Sequence, residues 1–345
     1  MGLHTLIQHS PFWLAPMAGY TDQAMRQVFR GFGAGLFYTE VAVAQGLIRH
    51  SAPSWHLLAC DPEEGPVAGH IYGSEPAVMA EAAKMLEASG RFAAIDINCG
   101  CPVRKIVAKG AGAALIRDPA RIGTIVEAVV SAVRLPVMVK TRIGFDTGSL
   151  QIMEILRRVE DAGAAAMAVH GRFADQHHKG DADWSVIAAV KQAATIPIIG
   201  NGGIRTAAQA VYALQHYGVD AVLLARGAVG NPWILADAET LLRQGSVPLR
   251  DYTSLREVIH AHMDALIALK RKEREWRRKK HMDPDHAAAL QFRCHLIQYL
   301  AGLEHWADIR RRFNDITCSD EIRDMVDIVI SRQVHPWHIL YPSRG

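Results

Sequence analysis

Eight short apolar segments alternate with longer segments of helical periodicity between residues 12 and 243 of this 345-residue chain. The apolar segments are nearly continuous and rich in Val, Ile and Ala, which is typical of parallel strands buried on both faces. Eight β–α units in about 230 residues match a closed (β/α)8 TIM barrel, an α/β fold. A doubly wound open sheet is the alternative, but the count of eight and the lack of an early GxGxxG motif count against it. We predict strands at 12–18, 35–41, 66–71, 93–98, 136–141, 165–169, 196–200 and 220–225.

The chain beyond the eighth unit has a different pattern. Pro248 and Asp251 interrupt it, and no strand pattern follows. The remaining apolar residues recur at helical spacing in several segments, which indicates packed helices. We therefore predict a barrel domain at 1–243 and a small all-α helical bundle at 244–345.

The distribution of charge suggests an acidic partner for the helical region. The chain has a net charge of +3, yet the segment 270–280 (KRKEREWRRKK) has eight basic and two acidic residues. Such asymmetry favours binding to nucleic acid, and Trp276 within the segment could stack on a base or ribose. The alternative is an ordinary solvated helix face, which Arg310, Arg311 and Arg312 in the same region make less attractive.

Cysteine usage and hydropathy suggest a cytoplasmic protein. Five cysteines, an odd and sparse set, argue for a reducing compartment and against a disulfide framework. No segment resembles a membrane span or a signal peptide. Cys99 and Cys101 form a CxC pair, but no other Cys or His pair lies close by in sequence, so we expect no metal site.

Polar residues follow the predicted strands where a barrel places its active site, at the C-terminal strand ends. The loops after the seventh strand (201–203) and the eighth (225–227) are rich in glycine, and each precedes a helix. Backbone N–H groups in such loops can bind phosphate with help from the helix dipole. The alternative is that these glycines only form tight turns.

Lys140, His170 and Cys101 are the candidates for chemistry. Lys140 lies inside an otherwise apolar strand and needs a partner, either an anionic flavin ring or a carboxylate such as Glu40 or Asp96. His170 could hydrogen-bond the same ring or be a core residue. Cys101 follows a strand end, and an unperturbed thiol stays mostly protonated at neutral pH, which suits a general acid. The alternative for Cys101 is a buried, inert thiol.

Several motifs in this order resemble the tRNA-dihydrouridine synthase family over nearly the whole chain. APMAGYTD is similar to the motif with which the family opens, DINCGCP to its DIN-x-GCP signature, and HLIQYLAGL with IRRRFN resembles its helical RNA-binding domain. The other similar segments are KGAGAALIRDP at 109–119, VKTRIGFD at 139–146, HGR at 170–172, KGDADW at 179–184 and RGAVGNPW at 226–233.

The resemblance implies an FMN-dependent reduction of uridine to dihydrouridine in tRNA. NADPH reduces the flavin, a hydride passes from flavin N5 to uracil C6, and Cys101 protonates C5. Asn98, Lys109 and Arg172 are then expected to bind the substrate. The base must be flipped out to reach the barrel, and we expect a monomer. The residues expected to bind the cofactor are Ala15, Pro16, Met17, His70, Lys140, His170, Asn201, Gly202, Gly203, Ala225, Arg226 and Gly227.

Four positions depart from the family pattern. His70 stands where a Gln that contacts the flavin is usual, Phe173 replaces a Thr, His178 replaces an aromatic residue, and Gly203 occupies a place where Asp is common. These departures keep other functions open. The alternatives are a flavin barrel acting on rRNA, one acting on a small pyrimidine as dihydroorotate dehydrogenases do, and a non-catalytic RNA-binding homologue.

Overall fold

A closed barrel of parallel strands forms the larger part of the protein. The computed structural model describes residues 2–33, 35–276, 282–304, 306 and 310–333, without the side chains of Trp276 and Arg312. All eight predicted strands are confirmed. The strands are β1 (Phe12–Leu14), β2 (Phe37–Tyr38), β3 (Ala42–Val43), β4 (Val67–Tyr72), β5 (Ala94–Cys99), β6 (Val137–Gly144), β7 (Ala166–Phe173), β8 (Ile198–Asn201) and β9 (Ala221–Leu224).

The sheet closes because its first barrel strand pairs with its last. β1 pairs with both β2 and β9, and β2 pairs with β4, so every barrel strand has two parallel neighbours. β2 and β3 both pair with β4, and they act as one strand interrupted by the segment 39–41. This interruption explains why nine strand segments form an eight-stranded TIM barrel.

Helices follow the strands as the periodicity predicts, and the sequence marks several of their starts. The Asp118 side chain accepts a hydrogen bond from the backbone N–H of Arg121, and Thr206 forms a capping box with Gln209. The helices of the barrel region are α1 (Leu3–His9), α2 (Gln23–Arg30), α3 (Ala44–Ile48), α4 (Ala52–His56), α5 (Pro76–Ala88), α6 (Arg104–Val107), α7 (Pro119–Val130), α8 (Ile152–Asp161), α9 (Trp184–Ala193), α10 (Ala207–Tyr217) and α11 (Ile234–Gln244).

Two apolar layers stabilise the barrel. One fills its interior with alternate strand residues, among them Trp13, Tyr38 and Met138, and Leu3 and Leu6 of α1 join this layer. The other layer lies between the strands and the surrounding helices. Strand residues alternate between the two layers, because successive side chains of a strand point to opposite faces. The polar side chains of the candidate site lie on the interior face, beyond the apolar layer.

The helical region packs against the barrel. It contains α12 (Tyr252–Trp276), α13 (Pro284–Tyr299) and α14 (Ser319–Ser331), with a 3-10 helix at Arg310–Asp315. Its buried cluster also includes Ala24 of α2 and Trp233, both from the barrel region. Removing the helical region would therefore expose apolar barrel surface. The division of the chain into domains at 243/244 stays a prediction.

The basic segment of α12 is partly neutralised by ion pairs. Lys270 binds Glu273 (2.8 Å), and Lys272 binds Asp61 of the barrel region (3.5 Å). Residues 277–280 of the predicted basic run lie outside the described residues, as do 307–309 of the predicted helix near Arg310. No helix in the described part of the chain has the length and hydropathy needed to cross a bilayer.

Candidate active site at the barrel mouth

Lys140 lies at the barrel mouth and binds an amide rather than a carboxylate. Its Nζ donates a hydrogen bond to Asn201 Oδ1 (3.1 Å), and Asn201 Nδ2 donates to the carbonyl of Leu223 (2.9 Å). Burial, with a contribution from Arg142, lowers the pKa of Lys140 to about 8. Among the described residues Lys140 forms no ion pair with Glu40 or Asp96, although the charge of Asp96 opposes the lowering of its pKa. Glu40 instead accepts from the backbone N–H of Gly19 (2.6 Å).

His170 is held in one protonation state by Arg172. Arg172 Nη1 lies 3.0 Å from His170 Nε2, and Arg172 Nε and Nη2 donate to the carbonyl of Gly180. A guanidinium can only donate, so His170 Nε2 must accept. Burial and the positive charges of Lys140 and Arg142 lower the pKa of His170 well below its usual range. His170 is therefore a neutral imidazole with its proton on Nδ1.

Arg142 joins the segment after β5 to the end of β7 and the loop that follows it, a role that the sequence analysis missed. Its guanidinium donates to the carbonyls of Gly100 (3.0 Å), Phe173 (2.9 Å) and His177 (2.8 Å). Burial and Arg172 lower the pKa of Arg142 to about 10. A second charged residue two places after Lys140 in the same buried strand was the available signal. Its carbonyl partners lie on other loops, which only the fold brings near.

The two glycine-rich loops come close to neighbouring chain segments. A Cβ on Gly202, whose φ is +130°, would lie 2.6 Å from Ala182 Cβ and 2.9 Å from His170 Cδ2. A Cβ on Gly227 would lie 2.6 Å from the carbonyl oxygen of Ile204. These contacts require glycine at both positions. Gly203, at φ +76°, has open space around it and is exposed.

Positive charge accumulates beside these loops. Burial lowers the pKa of Arg172, and the charges of Arg226 and Arg205 lower it further, while Asp181 raises it. Burial and Arg205 likewise lower the pKa of Arg226. Arg205, which the sequence analysis did not select, follows the first glycine-rich loop. The mutual repulsion of these side chains favours binding of an anion.

Cys101 begins a loop whose backbone is hydrogen-bonded to Asn98 of β5 and to Ala113. Its backbone N–H donates to Asn98 Oδ1 (2.9 Å), and its carbonyl accepts from the N–H of Ala113 (3.0 Å). Cys101 is partly exposed, whereas Cys99 is fully buried, and burial raises the pKa of the Cys99 thiol. The two thiols of the CxC pair thus differ in access. No group of three His, Cys, Asp or Glu side chains suited to a metal ion occurs within the described ranges.

His70 is buried behind Asn98. It is 2% exposed, its Nδ1 lies 2.5 Å from Asp96 Oδ2, and its Nε2 lies 2.9 Å from Asn98 Nδ2. Burial raises the pKa of Asp96, and the hydrogen bond with His70 and the charge of Lys140 oppose that effect. Both ring nitrogens of His70 are therefore engaged within the protein.

The remaining predicted residues lie around the same opening, with one outlier. Ala15 is buried, and its N–H donates to the carbonyl of Leu224 (2.8 Å); Pro16, Met17 and Ala225 are partly exposed. Lys109 is exposed on the turn after α6. In the described part of the chain its side chain forms no hydrogen bond or ion pair with the other candidate residues.

Comparison with known proteins agrees with this architecture. The model of the dihydrouridine synthase family (Dus) matches residues 13–335. The protein named Probable tRNA-dihydrouridine synthase 1 of Synechocystis is 35% identical, over 95% of this chain and 88% of its own. The tRNA-dihydrouridine synthase B of Vibrio cholerae is 35% identical, over 91% of this chain and 94% of its own.

A solved structure shares the fold at much lower identity. The 6-hydroxypseudooxynicotine amine oxidase of Pseudomonas geniculata superimposes with a TM-score of 0.52 at 13% identity, over 73% of this chain and 50% of the other. At that identity the likeness concerns the barrel alone. The family match, by contrast, includes the barrel strands, the Cys101 loop and the helical region, and the chain belongs to the dihydrouridine synthase family.

Proposed function

We propose that the protein reduces uridine to 5,6-dihydrouridine in tRNA, with FMN as its cofactor and NADPH as the source of electrons. The names of its relatives support this substrate. The observation that carries the proposal is the buried Lys140 at the barrel mouth, whose Nζ hydrogen-bonds Asn201 and forms no ion pair with a carboxylate among the described residues.

The residues at the barrel mouth fit an anionic, planar cofactor with a phosphate. We assign the phosphate to the glycine-rich loops at 201–203 and 225–227, where Gly203 and Arg226 are exposed. Lys140 supplies a positive charge for a ring that becomes anionic on reduction. We assign FMN binding to these residues and to Ala15, Pro16, Met17, His170, Asn201 and Ala225.

When bound and reduced by NADPH, FMN supplies a hydride that adds to C6 of the uracil ring. Cys101 donates its thiol proton to C5, which completes the saturation of the C5–C6 bond. Arg172, Asn98 and Lys109 orient the base. Asn98 uses one amide N–H on His70 and has a second available for the base. Arg172 is fixed by Gly180 and His170, so its position is set before the substrate arrives.

The helical region provides a surface for the RNA. Arg271 and Arg274 of α12 and Arg310 and Arg311 of the 3-10 helix are exposed. Positive side chains of this kind bind phosphates, with an affinity that decreases as salt increases. The target base must leave its stack to reach the barrel. We place the reaction in the cytoplasm, carried out by a monomer.

The test is reduction of defined tRNA by the purified full-length protein. The protein is purified, its flavin is identified by absorbance and mass, and it is incubated with NADPH and tRNA that lacks dihydrouridine. We expect bound FMN, NADPH oxidation that depends on tRNA, and a mass increase of about 2 Da at individual uridines, the two hydrogens added across C5–C6. rRNA and free uridine serve as alternative substrates in parallel reactions.

Each outcome distinguishes the candidates. Reduction of rRNA or free uridine in place of tRNA would reassign the substrate and keep the chemistry. Bound RNA without any reduced base, in a protein loaded with FMN, would favour a non-catalytic RNA-binding role. A protein that binds no flavin would contradict the proposal as a whole.

A further inference from the structure

We propose that His70 is a positioning residue for the Cys101 loop, acting through Asn98. The inference rests on the proposed function for its meaning in catalysis, but its structural content concerns this chain alone. His70 of β4 lies between Asp96 and Asn98 of β5, and the three side chains form one hydrogen-bonded series. The series continues from Asn98 Oδ1 to the backbone N–H groups of Gly100 (3.1 Å) and Cys101 (2.9 Å).

The orientation of Asn98 follows from its backbone partners. Two N–H groups point at one of its terminal atoms, and only the amide oxygen can accept from both. The other terminal atom is therefore Nδ2, a donor, and it faces His70 Nε2 at 2.9 Å. His70 Nε2 must then carry a lone pair and no proton.

The protonation of His70 and Asp96 follows in turn. A neutral imidazole without a proton on Nε2 has its proton on Nδ1, which donates to Asp96 Oδ2 (2.5 Å). A protonated Asp96 that donated to Nδ1 would force the ring proton onto Nε2, opposite the N–H of Asn98. The geometry therefore selects an Asp96 Oδ2 that accepts, a neutral His70 with its proton on Nδ1 and a fixed Asn98 amide.

Burial argues that this series acts on the loop rather than on a ligand. His70 is 2% exposed and Asp96 is fully buried, so neither presents an edge to the barrel mouth. Asn98, at 8% exposed, is the member nearest the loop. A side chain that fixes Asn98 sets the backbone of Gly100 and Cys101, and so the position of the Cys101 thiol.

The experiment compares two substitutions of His70 in the full-length protein. His70→Leu keeps the volume and removes both hydrogen bonds, whereas His70→Gln can accept from Asn98 Nδ2 and donate to Asp96. Tyr38→Phe is the matched control, because Tyr38 is a fully buried neighbour of His70. Among the described residues its hydroxyl hydrogen-bonds only to Met138 Sδ (3.9 Å) and to no member of the series. Hydrogen exchange at Gly100 and Cys101 and the alkylation rate of Cys101 are measured with and without FMN.

We expect His70→Leu to raise amide exchange at Gly100 and Cys101 about tenfold, which corresponds to the loss of one hydrogen bond. The alkylation rate of Cys101 in His70→Leu should also differ from that of the wild type. Tyr38→Phe should keep the wild-type exchange and alkylation rates, and His70→Gln should largely keep them. The affinity for FMN and the flavin spectrum should stay unchanged in all three variants. With tRNA, His70→Leu should lower kcat by about the same factor and leave KM unaltered.

Two results would overturn the inference. One is wild-type exchange at Gly100 and Cys101 in His70→Leu. The other is weaker FMN binding or a shifted flavin spectrum with unchanged exchange, which would make His70 a cofactor contact as the family resemblance implies. If the protein binds no FMN, the proposed function fails, yet exchange in the flavin-free protein still decides the role of His70.

Discussion

Buried histidines at the barrel mouth are hydrogen-bonded, whereas those between the barrel and the helical region have only one such bond, between His262 Nδ1 and Tyr299 (3.0 Å), among the described residues. Both ring nitrogens of His70 have partners, and His170 Nε2 accepts from Arg172. In the helical region, both ring nitrogens of His295 and the Nε2 of His262 are buried and have no hydrogen-bond partner in the part of the chain that the structure describes. The two rings lie 4.5 Å apart, and His295 also contacts Tyr20 of the barrel at 5.3 Å.

The difference separates two uses of buried polar groups. At the mouth, hydrogen bonds fix side chains beside Lys140 and several arginines, and this rigid positive site suits an anionic ligand. At the interface, burial holds His262 and His295 neutral, and it lowers the pKa of His295 to about 4. We therefore expect ligand binding and catalysis at the mouth to depend on individual side chains. We expect the stability contributed by the interface to depend on pH.

The largest effect is expected for Cys101→Ala, which tests whether the mouth is a catalytic site. Loss of the proton donor should lower kcat by about 10²- to 10⁴-fold, the usual contribution of general acid catalysis. FMN absorbance should be retained. Cys294→Ser is the control, since Cys294 is another partly exposed thiol, on α13. Single-turnover reduction of tRNA measures the rate, and a loss of less than tenfold would remove Cys101 from its assigned role.

Lys140→Met tests the positive charge at the mouth. Loss of a charge-assisted contact should weaken FMN binding about 10- to 100-fold. The pKa of about 8 adds a pH dependence: FMN affinity of the wild type should fall as pH rises above 8, because Lys140 loses its proton, and Lys140→Met should lack this decrease. Fluorescence titration from pH 7 to pH 9.5 measures both effects.

Lys191→Met is the matched control for Lys140. Lys191 is a partly buried lysine of α9 that pairs with Asp220 at 2.7 Å. Its loss should leave FMN affinity and its pH profile unaltered. Equal weakening in both lysine variants would mean that the effect of Lys140→Met is one of general stability.

Acidification tests the interface histidines. Their folded-state pKa values are lowered, so the unfolded chain binds more protons and stability falls as pH drops below the unfolded value of about 6.5. Each such group should cost about 1 kcal/mol between pH 7 and pH 5.5. Urea unfolding should show a smaller loss for His295→Phe than for the wild type. The same replacement at the exposed His216 should leave the decrease of the unfolding free energy with pH as in the wild type. An equally large decrease in His295→Phe would refute the assignment.

The smallest effect concerns RNA binding by the helical region. Arg271→Ala and Arg274→Ala should each lower the slope of log affinity against log salt by about 1 and weaken tRNA binding several-fold near physiological salt. Arg157→Ala is the control, because Arg157 lies on α8 of the barrel and pairs with Glu154 and Asp161. Filter binding at several salt concentrations measures the slopes, and equal slopes in all variants would exclude α12 from the RNA surface.

The sequence by itself determined the barrel and the positions of its polar residues. Eight apolar runs of strand length, with polar residues at their ends, allowed the fold and the location of Lys140, His170 and Cys101 to be predicted. This succeeded because the period of two in strands and the polarity of a parallel barrel are local properties of the chain. The motifs taken together, in their order along the chain, then led to the family.

Only the tertiary structure decided which side chains bind each other. Arg142 reaches carbonyls 31 to 42 residues away in sequence, and His70 meets Asn98 across 28 residues. Strand register and the closure of the barrel decided whether Lys140 would bind a carboxylate or an amide. They also decided whether α12 would pack on α2. Hydrogen bonds require atoms within about 3 Å in a set direction, and no local pattern in a sequence encodes such distances between remote residues.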